Sequence, residues 1–240
     1  MSLPPIRIRE GLAPDRFADM YRDAGIVQAT DFLESAAAQA IGDLLSGLPY
    51  AIVAPDETGQ TLVINDEVLR RFGEQQVRAF LAETIKRASK GFAFIHRSYA
   101  LQDEYGRAPN QPIAKVTEFL QSRAFLDFAA GIVGEPVDAV RVQASHYRRG
   151  DFLTLHDDSH SNDDRIAAFT LGFTRGWRPD WGGQLLFHDE AGDVVGGFAP
   201  RFNVLTVFQV PRAHSVAPVA AYAEAPRLSL TGWFIRERRA

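Results

Sequence analysis

Hydrophobic residues follow two different periods in the two halves of the chain. In the first half they recur at the spacing of an amphipathic helix, and three stretches share this pattern: 14–25, 29–48 and 73–91. Thr30 or Asp31 is a candidate cap for the second helix, and Gly91 ends the third. Between the second and third helices, residues 50–66 predict two short strands with a turn, and residues 92–101 predict another strand.

The segment "QDEYGRAPNQP" at residues 102–112 is polar and contains Gly and Pro. It predicts a loop that is long enough to act as a lid. Helical spacing returns in residues 113–134 and predicts one helix that stops at Gly134.

From Ala139 onward the pattern changes to the alternation that is typical of strands. Seven stretches show it: 139–150, 151–158, 165–177, 182–200, 201–211, 213–219 and 227–237. Gly, Pro and Asp separate them, and residues 190–193 predict a hairpin turn. Short strands at these intervals indicate an antiparallel sandwich or barrel. We therefore expect a mainly β chain with N-terminal α-helices, of the α+β class, in which the helices buttress the sheet.

The absence of a linker or repeat predicts a single catalytic domain over residues 1–240. In this interpretation, residues 1–136 are helix-rich support with a few strands, and residues 137–240 are a jelly-roll core that carries the metal site. With 240 residues and 46% apolar content, such a domain can bury a sizeable core.

Composition excludes several functional classes. The net charge of −4 gives no sign of a nucleic-acid partner, and no apolar run is long enough to span a membrane. There is no cysteine, which excludes disulfides and leaves His, Asp and Glu as the strong metal ligands. These features, with an N-terminus that lacks a signal sequence, predict a soluble cytoplasmic protein. They do not predict its oligomeric state.

The stretch "LTLHDDSHSNDDR" at residues 153–165 concentrates histidine and aspartate. In an extended strand, residues i and i+2 share a face, so His156 and Asp158 are expected to project together while Asp157 points away. His214 lies 58 residues later, past three further predicted strands, and is a candidate to close the site from across the barrel. Two histidines and a carboxylate on one face of a divalent ion leave three positions open, as in the non-heme Fe(II) oxygenases.

Arg227 begins the last apolar strand, "RLSLTGWFI", and is a charge at the edge of a buried run. Its planar guanidinium suits bidentate capture of a carboxylate. The sequence therefore predicts a cosubstrate with a distal carboxylate.

These motifs carry a resemblance. The order "HDD", "HSV" and then Arg227 ahead of "TGWF" resembles the 2-oxoglutarate and Fe(II)-dependent oxygenases, specifically their prolyl 4-hydroxylase-like branch. Tyr147 stands where this branch often has a tyrosine near the distal carboxylate, and "WGGQL" at 181–185 resembles the family's tryptophan and double-glycine turn. The match covers roughly residues 140–234, and the helical half adds little motif content.

The resemblance implies a double-stranded β-helix (jelly roll or cupin-like core) in which His156, Asp158 and His214 hold Fe(II). It implies that Arg227 and Tyr147 bind 2-oxoglutarate, that O2 is consumed, and that L-ascorbic acid supports the reaction. It also implies hydroxylation of an unactivated C–H bond, most simply that of a prolyl residue in a protein or peptide.

Several alternatives remain open at this stage. His156 and Asp158 alone fit a solvated loop. The same core can act on a free amino acid, a lipid or another small molecule, or the chain can be a non-catalytic jelly-roll binding module. A zinc hydrolase would need a general base such as Asp157 or His160.

The remaining polar residues near the motif are less informative. His160 is a candidate for the substrate entrance, and Arg165 either pairs with a neighbouring aspartate or lies near the substrate. His96 and His188 are expected to be packing or hairpin residues, and His146 is open to either interpretation.

Overall fold

The protein is built around an antiparallel sheet that curls on itself. The computed structural model describes residues 3–159 and 164–237. In these residues the strands are β1 (Ile26–Thr30), β2 (Ala51–Pro55), β3 (Thr61–Ile64), β4 (Phe94–Tyr99), β5 (Ala139–Tyr147), β6 (Phe152–His156), β7 (Arg165–Phe173), β8 (Leu185–His188), β9 (Val194–Phe198), β10 (Phe202–Gln209), β11 (His214–Val216) and β12 (Arg227–Ile235). The α-helices are α1 (Asp15–Ala24), α2 (Ser35–Ser46), α3 (Asp66–Ala88), α4 (Leu101–Arg107), α5 (Pro112–Leu120) and α6 (Arg123–Val133).

The strands lie in the order β1-β10-β7-β12-β5-β4-β6-β11-β8-β9, and the β2–β3 hairpin is attached to β4. Strand β4 pairs with β5 through Arg97–Tyr99 and with β6 through Phe94 and Ile95, so it joins the two halves of the curl. The strand order jumps along the sequence, as in a jelly roll, and therefore brings together segments that are far apart in the chain. This confirms the predicted fold class: a jelly-roll-like core with supporting helices.

Alternation along β12 separates the two faces of the larger half of the sheet. Leu228, Leu230 and Phe234 lie in the main hydrophobic core with residues of α2, α5 and α6. Successive strand residues point to opposite faces, so Arg227, Ser229 and Trp233 point into the interior of the curl. The outer face thus stabilises the fold, and the inner face is left for chemistry.

Two helices differ from their predictions at the N-terminal end. The segment predicted as helix 29–48 begins instead with the last two residues of β1, which pairs with β10, and α2 starts only at Ser35. Neither Thr30 nor Asp31 caps it, because the N-cap residue is Glu34, whose side chain makes no capping hydrogen bond. Helix α3 begins seven residues earlier than predicted, where the Asn65 side chain accepts a hydrogen bond from Val68, and it departs from helical geometry at Gly73 (φ 79°).

The predicted loop at 102–112 was wrong, because most of it is helix α4. Leu101 is buried, and the Gln102 amide bonds the backbone of Val140 and Val142, so tertiary contacts hold a helix that the local sequence does not favour. The single helix predicted at 113–134 is divided into α5 and α6 at Ser122, whose side chain caps α6.

The predicted hairpin is present as β8 and β9, with a turn closed by a hydrogen bond from Gly192 to Asp189. No helix within residues 3–159 and 164–237 combines the length and apolar content needed to cross a lipid bilayer.

Candidate metal centre

Two side chains that are close in the sequence, His156 and Asp158, meet the distant His214 where β6 ends and β11 begins. His156 ends β6 and His214 begins β11, and the two residues are direct cross-strand partners. Asp158 Oδ1 lies 3.4 Å from His156 Nε2, and Asp158 Oδ2 lies 3.4 Å from His214 Nε2. One ligand atom from each residue lies within 4.8 Å of the other two. The residues predicted from the motif are therefore brought together, as a facial set with an open side.

His214 reaches this set by a different route from the one predicted. Four strands, not three, separate it from β6 in the sequence, and it stands on the neighbouring strand instead of across the barrel. The crossover connection that returns the chain beside β6 is a property of the topology, which local pattern does not specify.

An irregularity in the β6–β11 pairing aims His156 inward. His214 is opposite His156 and Val216 is opposite Leu153, so three steps along β6 match two along β11. In a regular strand, Leu153 and His156, which are three residues apart, would point to opposite faces. A bulge of this kind re-aims a side chain, and here it turns the imidazole toward Asp158.

The pleat of a strand does not position Asp158, so the geometric argument by which it was predicted to face the metal with His156 was wrong. Strand β6 ends at His156, and Asp158 follows in the left-handed region at φ 63°. Aspartate enters this region more readily than most residues. The Asp157 carboxylate accepts a hydrogen bond from the Ser159 N–H in a turn, and this turn places Asp158 next to the two histidines.

Hydrogen bonds orient both imidazoles and leave the same nitrogen of each available. His156 Nδ1 donates to the Thr154 carbonyl at 2.9 Å, and His214 Nδ1 donates to the Arg212 carbonyl at 2.7 Å. Since a carbonyl only accepts, each Nδ1 carries the proton and each Nε2 presents a lone pair toward Asp158. Such backbone partners are typical of metal-binding histidines.

The electrostatics of the cluster favour a neutral histidine beside a charged carboxylate. Burial and the nearby His156 lower the pKa of His214 to about 4. Burial opposes ionisation of Asp158, but interactions with His156, His214 and Trp233 outweigh it and lower its pKa. At neutral pH Asp158 is therefore ionised and His214 is neutral, which are the protonation states that a cation requires of these two groups.

A second feature of the interior is a buried cation. Arg227 is 6% exposed, its Nη1 has no hydrogen-bond partner among the described residues, and its guanidinium lies 5.0 Å from the ring of its cross-strand partner Tyr147. Uncompensated burial of a charge is costly, so such a group marks a place for an anion. Beside Arg227, a cavity of about 30 Å³ has a polar lining that includes Thr170, Thr206 and Ser229.

Sequence reasoning missed one interior residue. His96, taken as a packing residue, is buried on β4 and stacks on Tyr147 with ring centroids 4.8 Å apart and an interplanar angle of 7°. A lone histidine in an apolar strand has no spacing signal, so its place beside Tyr147 follows only from the pairing of β4 with β5.

The other histidines lie elsewhere. His146 is buried on the opposite face of β5 from Tyr147, against Tyr50. His188 bonds the Ser215 hydroxyl. His160 lies outside the described residues.

Aromatic and charged residues surround the cluster. Phe92, 54% exposed, has its ring centroid 5.4 Å from that of His156. The Arg165 guanidinium lies 4.0 Å from the Trp233 ring, and it donates to the Asp158 carbonyl. A pocket of about 160 Å³ borders Trp233, and its lining also includes Gln102, Asp103, Arg141 and Gln143.

The fold and this cluster define a class. Residues 142–235, which include His156, Asp158, His214 and Arg227, match the family model described as the 2OG-Fe(II) oxygenase superfamily. The resemblance seen in the motifs is confirmed: over these residues the chain is similar to the Fe(II)- and 2-oxoglutarate-dependent oxygenases, enzymes that use Fe(II), 2-oxoglutarate and O2. No curated protein sequence matches the chain significantly.

Solved structures share the fold over most of the chain at low sequence identity. A prolyl 4-hydroxylase from Pseudomonas putida has 20% identity and a TM-score of 0.56, with 93% of this chain and 99% of that one covered. A 2OG-Fe(II) oxygenase family oxidoreductase from Burkholderia pseudomallei has 18% identity and a TM-score of 0.61, with 100% and 98% covered. A Trichoplax adhaerens prolyl hydroxylase in complex with a hypoxia inducible factor peptide fragment has 15% identity and a TM-score of 0.60, with 92% and 90% covered.

Proposed function

We propose that the protein hydroxylates a prolyl residue in a protein or peptide. In this proposal, Fe(II) is held by His156, Asp158 and His214, and 2-oxoglutarate is held by Arg227 and Tyr147. The observation that carries the proposal is the convergence of two imidazole Nε2 atoms and one carboxylate within 4.8 Å, in the same interior as a buried guanidinium.

The donor set fits the ion. Two neutral imidazoles and one carboxylate suit Fe(II) with open positions, whereas a closed structural site would use four protein ligands. The carbonyls of Thr154 and Arg212 fix the rings before a metal arrives. A general-base role for Asp157, as a zinc hydrolase requires, is disfavoured because its carboxylate bonds the Ser159 N–H.

When bound, Fe(II) with 2-oxoglutarate and O2 supplies the oxidising chemistry that hydroxylates an unactivated C–H bond and releases succinate and carbon dioxide. The chain itself binds and orients the cosubstrate and the substrate, and it excludes water. Arg227 places a permanent positive charge deep in the interior, where a carboxylate is captured in a forked geometry. Tyr147 lies beside it with its hydroxyl protonated, because burial raises its pKa to about 12. The hydroxyl is therefore available as a hydrogen-bond donor.

Trp233 contacts both the metal centre and the pocket of about 160 Å³. Its indole lies beside Asp158 and lines that pocket, and the Arg165 guanidinium lies over its ring. A flat aromatic wall next to an open coordination face suits a small saturated ring. The exposed ring of Phe92, which lies next to His156, suits an extended peptide.

The proposal is tested by supplying Fe(II), 2-oxoglutarate and proline-containing peptides to the purified protein. We expect succinate to form in step with a peptide mass gain of about 16 daltons, the mass of one oxygen. The same peptides with alanine at the proline are the substrate control. His156→Ala and Asp158→Ala are expected to abolish both products, and His146→Phe, outside the site, to retain them. Turnover that survives exhaustive metal chelation would overturn the proposal.

A second candidate is the same chemistry on a free amino acid or another small molecule. The compact pocket beside Trp233 supports it, since both Asp103 and Arg141 line that space. Hydroxylation of free proline or another amino acid, with no peptide modified, would favour this candidate. Equimolar metal binding together with a thermal shift by 2-oxoglutarate would exclude a metal-free binding module.

Three further predictions belong to the proposal. We propose that L-ascorbic acid supports turnover, that the protein acts in the cytoplasm, and that residues 1–240 act as one catalytic domain. Stimulation by ascorbate, fractionation of cells and limited proteolysis test them separately.

A further inference from the structure

His96 is a buried polar group that the packing around it does not satisfy. It is 6% exposed, and neither Nδ1 nor Nε2 has a hydrogen-bond partner among the described residues. Its nearest rings are Phe94 at 5.6 Å and Tyr147 at 4.8 Å, and neither offers a hydrogen bond through its face. Leaving a buried donor or acceptor unpaired is unfavourable, so we expect a ligand or a water molecule to supply the missing hydrogen bond of His96.

His96, Tyr147 and Arg227 form one row across three adjacent strands. The register pairs Arg227 with Tyr147, and the β4–β5 pairing of Arg97 with His146 places His96 beside Tyr147. Neighbouring strands are about 4.8 Å apart, so the imidazole and the guanidinium flank the Tyr147 ring at the same depth. Two buried polar groups without partners, His96 and Arg227 Nη1, thus stand in one row.

The charge state of His96 makes it suitable as a donor to an anion. Burial, followed by the nearby charges of Arg227 and Arg97, lowers its pKa to about 3, so the ring is neutral at physiological pH. A neutral imidazole has one N–H and one lone pair. It therefore supplies a donor beside Arg227 without adding a second buried charge.

We propose that His96 is a further binding residue for the cosubstrate, donating a hydrogen bond to the distal carboxylate that Arg227 captures. This inference rests on the proposed function. It goes beyond it by assigning a donor on β4 to a pocket otherwise built from β5 and β12. His96 and Arg227 would then bind the distal carboxylate from the two sides of Tyr147. These contacts would fix the direction in which the dicarboxylate extends toward the metal centre.

The test measures anaerobic calorimetric binding of 2-oxoglutarate to the protein loaded with Mn²⁺, so that no turnover is needed. His96→Phe keeps the stacked ring and removes the donor. We expect it to weaken 2-oxoglutarate binding by about tenfold or more, the scale of a hydrogen bond to a charged group. His96→Asn and His96→Gln place an amide N–H near the positions of Nδ1 and Nε2, and one of them is expected to recover part of the affinity.

Two controls separate a direct contact from a structural effect. His146→Phe removes the other buried histidine without a partner, on the opposite sheet face, and should leave the affinity unchanged. The ligand 2-oxopentanoate has the same carbon chain but lacks the distal carboxylate, and His96→Phe should bind it as the wild type does. Equal losses for both ligands, or no loss for 2-oxoglutarate, would overturn the role of His96. If the wild type itself binds no 2-oxoglutarate, both the proposed function and this inference fail.

Discussion

Arg227 shows how one residue carries a functional prediction. A charge at the start of an apolar strand suggested carboxylate capture. The structure buries that charge beside Tyr147, and its Nη1 has no hydrogen-bond partner within residues 3–159 and 164–237. Burial also lowers its pKa, which reflects the cost of holding the cation away from water. An anionic ligand would offset this cost.

We expect Arg227→Ala to weaken 2-oxoglutarate binding by roughly 1.5–3 kcal/mol, the scale of a hydrogen bond to a charged group. The affinity of Arg227→Lys should lie between those of the wild type and Arg227→Ala, because an ammonium keeps the positive charge but cannot form the bidentate contact. Calorimetric titration of the metal-loaded protein measures both. Arg175→Ala removes an exposed arginine that pairs with Asp43 and serves as the control. An unchanged affinity in Arg227→Ala would remove this residue from the pocket.

The residues of the candidate site were largely predictable because their chemistry is rare in this sequence. Six histidines in 240 residues make the pairing of His156 with His214 informative once Asp158 and Arg227 follow at suitable spacings. His96 was not predictable. Its neighbours in sequence are those of any buried strand, and only the pairing of β4 with β5 reveals its partner.

At the scale of elements, prediction succeeded where alternation alone decides the structure and failed where packing does. Most strands from β5 to β12 follow the apolar pattern because one face of each is buried. Strand β1 was missed, and its last two residues were assigned to a helix, since it is short and pairs with β10, nearly 180 residues away. Helix α4 was read as loop, since its stability comes from the buried Leu101 and the Gln102 contacts to β5.

A clamp between β10 and the loop after β1 explains part of this long-range pairing. Asn203 is buried in the left-handed region at φ 56°, and its side-chain amide bonds the Leu33 N–H at 2.9 Å and the Leu33 carbonyl at 2.8 Å. The Asn203 carbonyl also accepts from Phe32. The clamp holds the start of α2 against the sheet.

Asn203→Leu should reduce the free energy of unfolding by about 2–4 kcal/mol, because it leaves two buried backbone groups of Leu33 unpaired and strains the backbone. Asn203→Gly relieves the strain and still loses both bonds, so it should be destabilised by a smaller amount. Urea unfolding measures both variants. Wild-type stability in Asn203→Gly would contradict the hydrogen-bond explanation.

For the molecule as a whole, the distribution of buried histidines predicts how stability depends on pH. Burial, together with nearby arginines, lowers the pKa of His96 to about 3 and of His146 to about 4, from 6.5. Below pH 6.5 the unfolded chain binds protons that the folded chain does not, so stability falls as pH falls from 6.5 toward 4. The stabilisation is fully present above pH 6.5.

His146→Phe isolates this effect away from the candidate site. Without a titrating ring, the variant should lose roughly 1–2 kcal/mol less stability than the wild type between pH 7 and pH 5. Urea unfolding at the two pH values, with metal chelated, measures the difference. Identical losses in the two proteins would show that His146 is not held neutral by the fold.

The extra residue in β6 makes the number of residues between Leu153 and His156 more important than their identity. Inserting one more residue there would turn His156 to the opposite face and leave Asp158 and His214 without their third partner. Leu155, half exposed, is free to vary in side chain, and the carbonyl of Thr154 that orients His156 belongs to the backbone. Chains derived from this one by design or by evolution can therefore vary the side chains of this stretch, provided that no residue is added to it.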